Sequence, residues 1–109
     1  MKTVAYLFLT AALIASSGAL AGGDPKAGES KAQACFACHG QDGNGISPTY
    51  PRLAGQYESY MTKALIDYKS GARANAIMAG MVANLSEQDM ADISAYYASK
   101  DGLEDLSIK

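Results

Sequence analysis

The stretch that decides the fold of this chain is Cys35-Phe36-Ala37-Cys38-His39. It contains both cysteines and the only histidine of the 109 residues. Two thiols with two residues between them can each form a thioether with one vinyl group of a porphyrin, and C-x-x-C-H is the signature of such haem attachment. The adjacent histidine is then carried under the ring, where an imidazole nitrogen binds iron. The motif therefore predicts one haem c (iron), attached through Cys35 and Cys38 and ligated by His39.

Three other uses of the cysteine pair compete with this interpretation. A disulfide across two residues would close a very short loop, and the stabilisation by a disulfide grows with loop length. A thioredoxin-like redox pair belongs to a βαβ unit, whereas this sequence has no alternation typical of strands. A structural zinc site as a rule needs four ligands, and the sequence has no second cysteine or histidine pair. Haem attachment is the interpretation that the sequence favours.

The first 21 residues have the features of an export signal. Lys2 gives a positive start, Val4 to Ile14 is a mainly apolar run, and Ala19-Leu20-Ala21 is similar to a cleavage site. The run is shorter than the roughly 20 residues of a membrane span, and the alternative is an uncleaved N-terminal anchor. We expect residues 1–21 to be a cleaved signal peptide and residues 22–109 to form one domain. We also expect that domain to reside in the periplasm, without stable membrane insertion after cleavage.

Composition narrows the classes of function further. The chain carries 9 basic and 11 acidic residues, and its formal net charge is −2. Nucleic-acid binding needs a basic patch, so this balance argues against a nucleic-acid partner. The stability of a domain this small often depends on a disulfide, a metal site or a cofactor. The chain has no tryptophan, and Phe36 is its only phenylalanine after the leader, so a haem would supply the large apolar body that the core needs.

Capping signals and hydrophobic periodicity predict an all-α domain. A first helix should begin at Asp24-Pro25, since Asp at the N-cap and Pro at the first position are typical of helix starts. A second should run from about Tyr57 to Ser70, where apolar residues repeat on one face. The last should begin at Ser86, with Asp89 completing a box-like cap, and should end near Lys100. Residues 40–55 carry turn chemistry and should form a loop.

The second axial ligand has four methionines as candidates after the leader, because the one histidine is already used. A thioether favours Fe(II) and raises the reduction potential. Met61 and Met90 lie on apolar helical stripes, where core packing is the ordinary role. Met78 and Met81 lie in residues 72–84, which have weak periodicity and should form an irregular segment able to present a sulfur atom. Physical reasoning alone does not decide whether Met78 or Met81 is the ligand.

Further blocks of sequence resemble class I cytochrome c over nearly the whole domain. They are Ala27-Gly28, CFACHGQDGNG at 35–45, PRLAGQ at 51–56 and LSEQDMADISAYY at 85–97. The similarity is closest to small bacterial periplasmic cytochromes and to each half of the di-haem ones. The resemblance implies the class I cytochrome c fold, in which three to four helices wrap around one covalent haem.

The resemblance also implies roles for individual residues of the scaffold. It implies that the carbonyl of Pro51 accepts a hydrogen bond from the imidazole N–H of His39. It also implies that Gly28 marks the crossing of the first and last helices, with Ile93 and Tyr96 as its contacts.

On the opposite side of the ring, the resemblance points to one methionine. Met78-Ala79-Gly80-Met81, followed by Leu85-Ser86, matches the family's M-x-G-M before a helix start. This match implies that Met78 binds the iron in preference to Met81. Arg52 and Arg73 are candidates to pair with haem propionates, and a solvated surface role is the alternative for both.

We expect a periplasmic electron carrier, not an enzyme, that passes single electrons between redox proteins through His39/Met78-ligated haem. Its donor would be a quinol-oxidising complex or a dehydrogenase, and its acceptor an oxidase or a reductase. A haem peroxidase would need a distal acid–base group, and no second histidine is available. A haem-based sensor with a displaceable sixth ligand and an electron-entry subunit of a larger oxidoreductase complex are the alternatives.

Overall fold

The structure is a computed structural model that describes residues 22–104 and residue 106. All regular secondary structure in this part is helical. The elements are α1 (Pro25–Lys31), a 3-10 turn (Gln33–Cys35), α2 (Phe36–His39), α3 (Glu58–Ser70), α4 (Ala76–Val82) and α5 (Glu87–Ala98). The all-α prediction is confirmed, and the 3-10 turn, which ends at the first residue of the haem motif, separates α1 from α2. The predicted signal peptide, residues 1–21, lies outside the described residues.

Helices α1 and α5 cross in close contact, and glycine makes this crossing possible. A Cβ placed on Gly28 would lie 1.9 Å from the carbonyl oxygen of Asp92 and 2.8 Å from the Cβ of Tyr96. Any larger side chain would therefore push the two helices apart. The predicted contact between Gly28 and Tyr96 is confirmed, and the nearest atom belongs to the Asp92 backbone instead of Ile93. Gly23 approaches the backbone of α5 as closely, a contact that the sequence analysis did not anticipate.

A buried carboxylate joins the start of the domain to α5. Asp92 is 3% exposed, and its Oδ1 accepts from the Asp24 amide and from the Gln88 side chain, each at 2.8 Å. Its Oδ2 lies 2.5 Å from Nζ of Lys31, which also reaches Asp89 at 2.9 Å. The Lys31 ammonium lowers the pKa of Asp92, and together with the Ser86 cap it lowers the pKa of Asp89 to about 2. The network clamps α1 against α5.

Helix α3 packs on α5 and completes the apolar core. Met61 and Met90 are 6% and 1% exposed, so the core packing predicted for both methionines is confirmed. The capping box predicted at the start of α5 is also present, because Ser86 and Asp89 each accept the other's amide through a side-chain oxygen. The buried apolar cluster consists of Ala32, Met61, Ile93, Tyr96 and Tyr97.

The prediction of an irregular segment over residues 72–84 is wrong, because this segment contains α4. Asn75 is its N-cap, and the Asn75 Oδ1 accepts from the Met78 amide at 2.9 Å. Helix α4 has seven residues, of which only Val82 is buried, and its main helical neighbour is α3. A short helix that buries one residue leaves almost no hydrophobic periodicity in the sequence. Within residues 22–104 and 106, no helix is long and apolar enough to cross a membrane.

Candidate haem site

The cysteine motif lies where the first helical stretch ends. Cys35 is the last residue of the 3-10 turn, and Phe36 to His39 form the single turn of α2. Both cysteines are free thiols and are half-buried. Burial, and then the neighbouring Cys38, raise the pKa of the Cys35 thiol. Cys35 and Cys38 form no disulfide with each other in the structure, so both sulfur atoms are available for thioether formation.

The imidazole of His39 is held in one tautomer by the loop that follows it. Its Nδ1 lies 2.8 Å from the carbonyl oxygen of Pro51. A carbonyl oxygen can only accept, so Nδ1 carries the proton and Nε2 keeps the lone pair that binds a metal. The contact that the resemblance implies between His39 and Pro51 is present in the structure. His39 thus offers Nε2 as the nitrogen donor that a haem iron requires on one side.

The loop between α2 and α3 has no helix, as predicted, but it is ordered by its own backbone. The Gly45 amide donates to the carbonyl of His39 at 2.7 Å. The carbonyl of Gly43 accepts from the amides of Leu53 and Ala54 at 2.7 and 2.9 Å. Gly43 and Gly45 both have positive φ, 78° and 79°, which glycine adopts without strain. These bonds fold the loop back so that it presents Pro51 to His39.

Two tyrosines of α5 also hold this loop, a role that was not predicted from the sequence. The hydroxyl of Tyr96 donates to the carbonyl of Gln41 at 2.5 Å, and that of Tyr97 to the carbonyl of Gly40 at 3.2 Å. Burial raises the pKa of the Tyr97 phenol. The signal in the sequence is a pair of adjacent tyrosines on an inward helix face, because a buried phenol needs a hydrogen-bond partner.

The two candidate methionines differ in their surroundings on α4. Met78 is half-buried, and its amide is bonded to the Asn75 side chain. Met81, one turn further along, is 42% exposed. Helix α4 thus carries both sulfur atoms on nearby positions and shelters one more than the other.

The candidate arginines occupy different surroundings. An open cleft of about 470 Å³ is lined by the 44–52 loop, and Arg52 lines it together with Pro51 and Tyr50. The guanidinium of Arg73 stacks over the ring of Tyr68, 4.8 Å from its centroid. Arg52 therefore lies in the same loop as the His39 acceptor, whereas Arg73 is engaged with α3.

The donor chemistry of this region fits a haem better than a protein-bound zinc ion. Among residues 22–104 and 106, no three His, Cys, Asp or Glu side chains converge as a metal site would. The motif instead offers two free thiols and one imidazole with a free Nε2. Two large apolar side chains stand exposed, Ile46 at 64% in the loop after the motif and Ile77 at 70% on α4 beside Met78. A porphyrin is a ligand of matching apolar character.

Comparison with known proteins agrees with this chemistry. Residues 26–100 match the cytochrome c family. Cytochrome c4 of Pseudomonas aeruginosa is 48% identical over 99 residues, which are 91% of this chain and 48% of the relative. Cytochrome c-554(548) of Halomonas halodenitrificans is 45% identical over 82 residues, which are 72% of this chain and 99% of the relative. The chain thus spans about half the length of the cytochrome c4 relative and nearly all of cytochrome c-554(548).

A solved structure extends the similarity to the fold. Reduced recombinant cytochrome c4 from Pseudomonas stutzeri superimposes with a TM-score of 0.70 and 44% sequence identity, over 74% of this chain and 47% of the other. Residues 26–100, which match the cytochrome c family, include the motif with its two thiols and the histidine whose Nε2 is free. The cytochrome c4 relatives are electron-transfer proteins, not enzymes. This chain belongs to the cytochrome c family, in which haem c is covalently bound.

Proposed function

We propose that this protein carries single electrons through a haem c that Cys35 and Cys38 attach and that His39 and Met78 ligate. The observation that carries the proposal is the 2.8 Å bond from His39 Nδ1 to the Pro51 carbonyl, which leaves Nε2 as the donor. When bound at this motif, the haem supplies an iron that changes between Fe(III) and Fe(II). The protein residues supply attachment, orientation and exclusion of water.

The role of His39 is to bind iron in a fixed orientation. The hydrogen bond from Nδ1 to the Pro51 carbonyl makes Nε2 a stronger electron donor. The same bond prevents the imidazole ring from rotating. The backbone bond from Gly45 to the His39 carbonyl holds the residue from the other side. A ligand that is fixed before electron transfer changes little during it, which suits a rapid carrier.

The role of Met78 is to provide the second axial ligand. Met61 and Met90 are buried in the core of α1, α3 and α5, which supports their exclusion. Between the two remaining candidates, Met78 is the more sheltered and has its backbone tied to Asn75. A thioether ligand raises the potential, which suits transfer from low-potential donors to an oxidase or reductase.

A haem-based sensor is the second candidate, and one observation favours it. Helix α4 buries only Val82 and has one main helical neighbour, so Met78 stands on a weakly held element. A ligand on such an element can be displaced by a diatomic gas. The distinction between carrier and sensor lies in how firmly the sixth ligand is bound.

Carbon monoxide distinguishes the two candidates. The reduced holoprotein should keep its optical spectrum under carbon monoxide, because the Met78 sulfur would already bind the iron. Met78→Ala serves as the positive control, since it should bind carbon monoxide readily. A wild-type protein that binds the gas as readily as this variant would favour the sensor and contradict the carrier.

Location and partners complete the proposal. Residues 1–21 act as a cleaved signal peptide, and the mature carrier works in the periplasm between a quinol-oxidising complex or dehydrogenase and an oxidase or reductase. A role as electron-entry subunit of a larger complex would use the same chemistry. The chain joins the fold directly after the proposed cleavage site, because the amide of Gly23 bonds to Glu58 at 2.6 Å.

The proposed processing is tested by an intact mass spectrum of the exported protein. We expect the mass of residues 22–109 plus one haem. A mass that includes residues 1–21 would show an uncleaved anchor instead.

A further inference from the structure

We infer that Tyr96 and Tyr97 are positioning residues for His39, because their hydroxyl groups hold the loop that supplies the acceptor for its imidazole. This inference rests on the proposed role of His39 as an axial ligand. It assigns to α5, which does not contain the motif, a part in setting how strongly that ligand donates to iron.

The two hydroxyl groups bind the backbone directly after the ligand. Tyr97 donates to the carbonyl of Gly40 and Tyr96 to that of Gln41, the first and second residues after His39. The tyrosines are 1% and 2% exposed, and their two bonds to the loop are partly buried. Removing a hydroxyl group would take away one of these bonds, so that the carbonyl of half-buried Gly40 or of exposed Gln41 would be held less firmly.

Both tyrosine rings are themselves held in place. Their centroids are 5.1 Å apart in an edge-on arrangement, and the Tyr96 ring also packs on Phe36 within the motif at 5.9 Å. Nζ of Lys100 lies 4.5 Å over the Tyr96 ring. The loop rests directly on the other ring, since a Cβ on Gly43 would lie 2.7 Å from Cδ1 of Tyr97. The hydroxyl groups therefore have fixed positions.

Tyr97 binds the loop at both ends. Its hydroxyl group holds Gly40 at the start, and its carbonyl accepts from the Gly55 amide at 3.0 Å near the end. Pro51 lies between these two anchor points. The distance from the Pro51 carbonyl to His39 Nδ1 thus depends on the contacts of the loop with α5 as well as on the bonds within the loop.

The distance between the Pro51 carbonyl and His39 Nδ1 matters because it determines the strength of the hydrogen bond between them. A stronger bond from Nδ1 to Pro51 makes Nε2 a better donor, and a better donor favours Fe(III) over Fe(II). Loosening the loop should weaken this bond. The reduction potential should then rise, although no residue that touches the iron has changed.

Three conservative variants of the holoprotein test the inference: Tyr97→Phe, Tyr96→Phe and the double variant. Each keeps the ring and removes only the hydroxyl group. We expect the exchange of the His39 Nδ1 proton with solvent to accelerate about fivefold for each lost bond, as measured by NMR in the reduced state. We also expect the reduction potential to rise. Tyr60→Phe is the matched control, because Tyr60 is 54% exposed on α3, and it should change neither quantity.

The result that would contradict the inference differs from the result that would contradict the proposed function on which it rests. If Tyr97→Phe and the double variant lower the melting temperature but keep the wild-type exchange rate and potential, the tyrosines only pack and the inference is wrong. If His39→Ala keeps the spectrum and potential of the wild type, the proposed ligand is wrong, and the inference falls with it.

Discussion

The domain contains two regions that are held together in different ways. The helical frame, α1, α3 and α5, has a buried apolar cluster, a glycine crossing and the Asp92 clamp. The ligand-side segments are residues 40–57, held largely by hydrogen bonds, and residues 76–82, which pack on α3. Few of their residues are buried, and Ile46 and Ile77 stay more than 60% exposed there. The frame thus stabilises itself, whereas we expect the ligand-side segments to gain their apolar burial from the haem.

The largest expected effect is a disruption of the frame by Gly28→Val. The first added carbon would lie 1.9 Å from a backbone oxygen of α5, which cannot move unless the helices separate. We expect a loss of about 3–5 kcal/mol in the free energy of unfolding, enough to leave much of the protein unfolded. Urea denaturation measures this loss. A change below about 1 kcal/mol would contradict the close crossing.

A smaller loss is expected from Asp92→Asn, which removes the charge of the clamp. Lys31 would lose a buried partner, so we expect about 2 kcal/mol of destabilisation at neutral pH. Asp67→Asn is the matched control, because its partner Lys63 is 74% exposed and such surface pairs contribute less than about 1 kcal/mol. Equal losses in the two variants, again by urea denaturation, would show that the clamp is no stronger than a surface pair.

The same clamp predicts a dependence of stability on pH. The pKa values of Asp89 and Asp92 are lowered in the folded protein, that of Asp89 to about 2. Their stabilisation is therefore complete above the ordinary carboxyl pKa of about 4 and is lost as pH falls towards about 2. The free energy of unfolding of the wild type should fall across this window, and that of Asp92→Asn should fall less. Parallel curves for the two proteins would contradict this assignment.

The smallest expected effects compare the helix caps of the two regions. Asn75→Ala and Ser86→Ala each remove a side-chain cap and should each cost about 1 kcal/mol. Because α5 belongs to the frame, Ser86→Ala should lower the global stability. Asn75→Ala should instead accelerate amide exchange within α4 and leave exchange in α5 unchanged. Faster exchange in both helices of the Asn75 variant would show that the two regions unfold as one.

The same division explains what the sequence could predict. Helices α3 and α5 follow from periodicity and from the Ser86 cap, which are local signals, and the role of the C-x-x-C-H stretch follows from its chemistry. Helix α4 was missed because seven mostly small residues with one buried side chain carry little periodicity. The cap at Asn75 was the available signal.

The long-range contacts, both within the frame and between the two regions, could not be predicted from local sequence. Tyr96 and Tyr97 reach carbonyls 55 and 57 residues away, and Asp92 binds an amide 68 residues away. A hydrogen bond between such distant positions depends on the three-dimensional path of the chain. No local pattern of residues encodes it.

The most direct test of the proposed site is the near-infrared spectrum of the oxidised holoprotein. Sulfur ligation to Fe(III) gives a weak charge-transfer band in this region. We predict that the band is present in the wild type and in Met81→Ala and is absent in Met78→Ala. A band that survives in Met78→Ala, or that is lacking in the wild type, would contradict the assignment of Met78 as the ligand opposite His39.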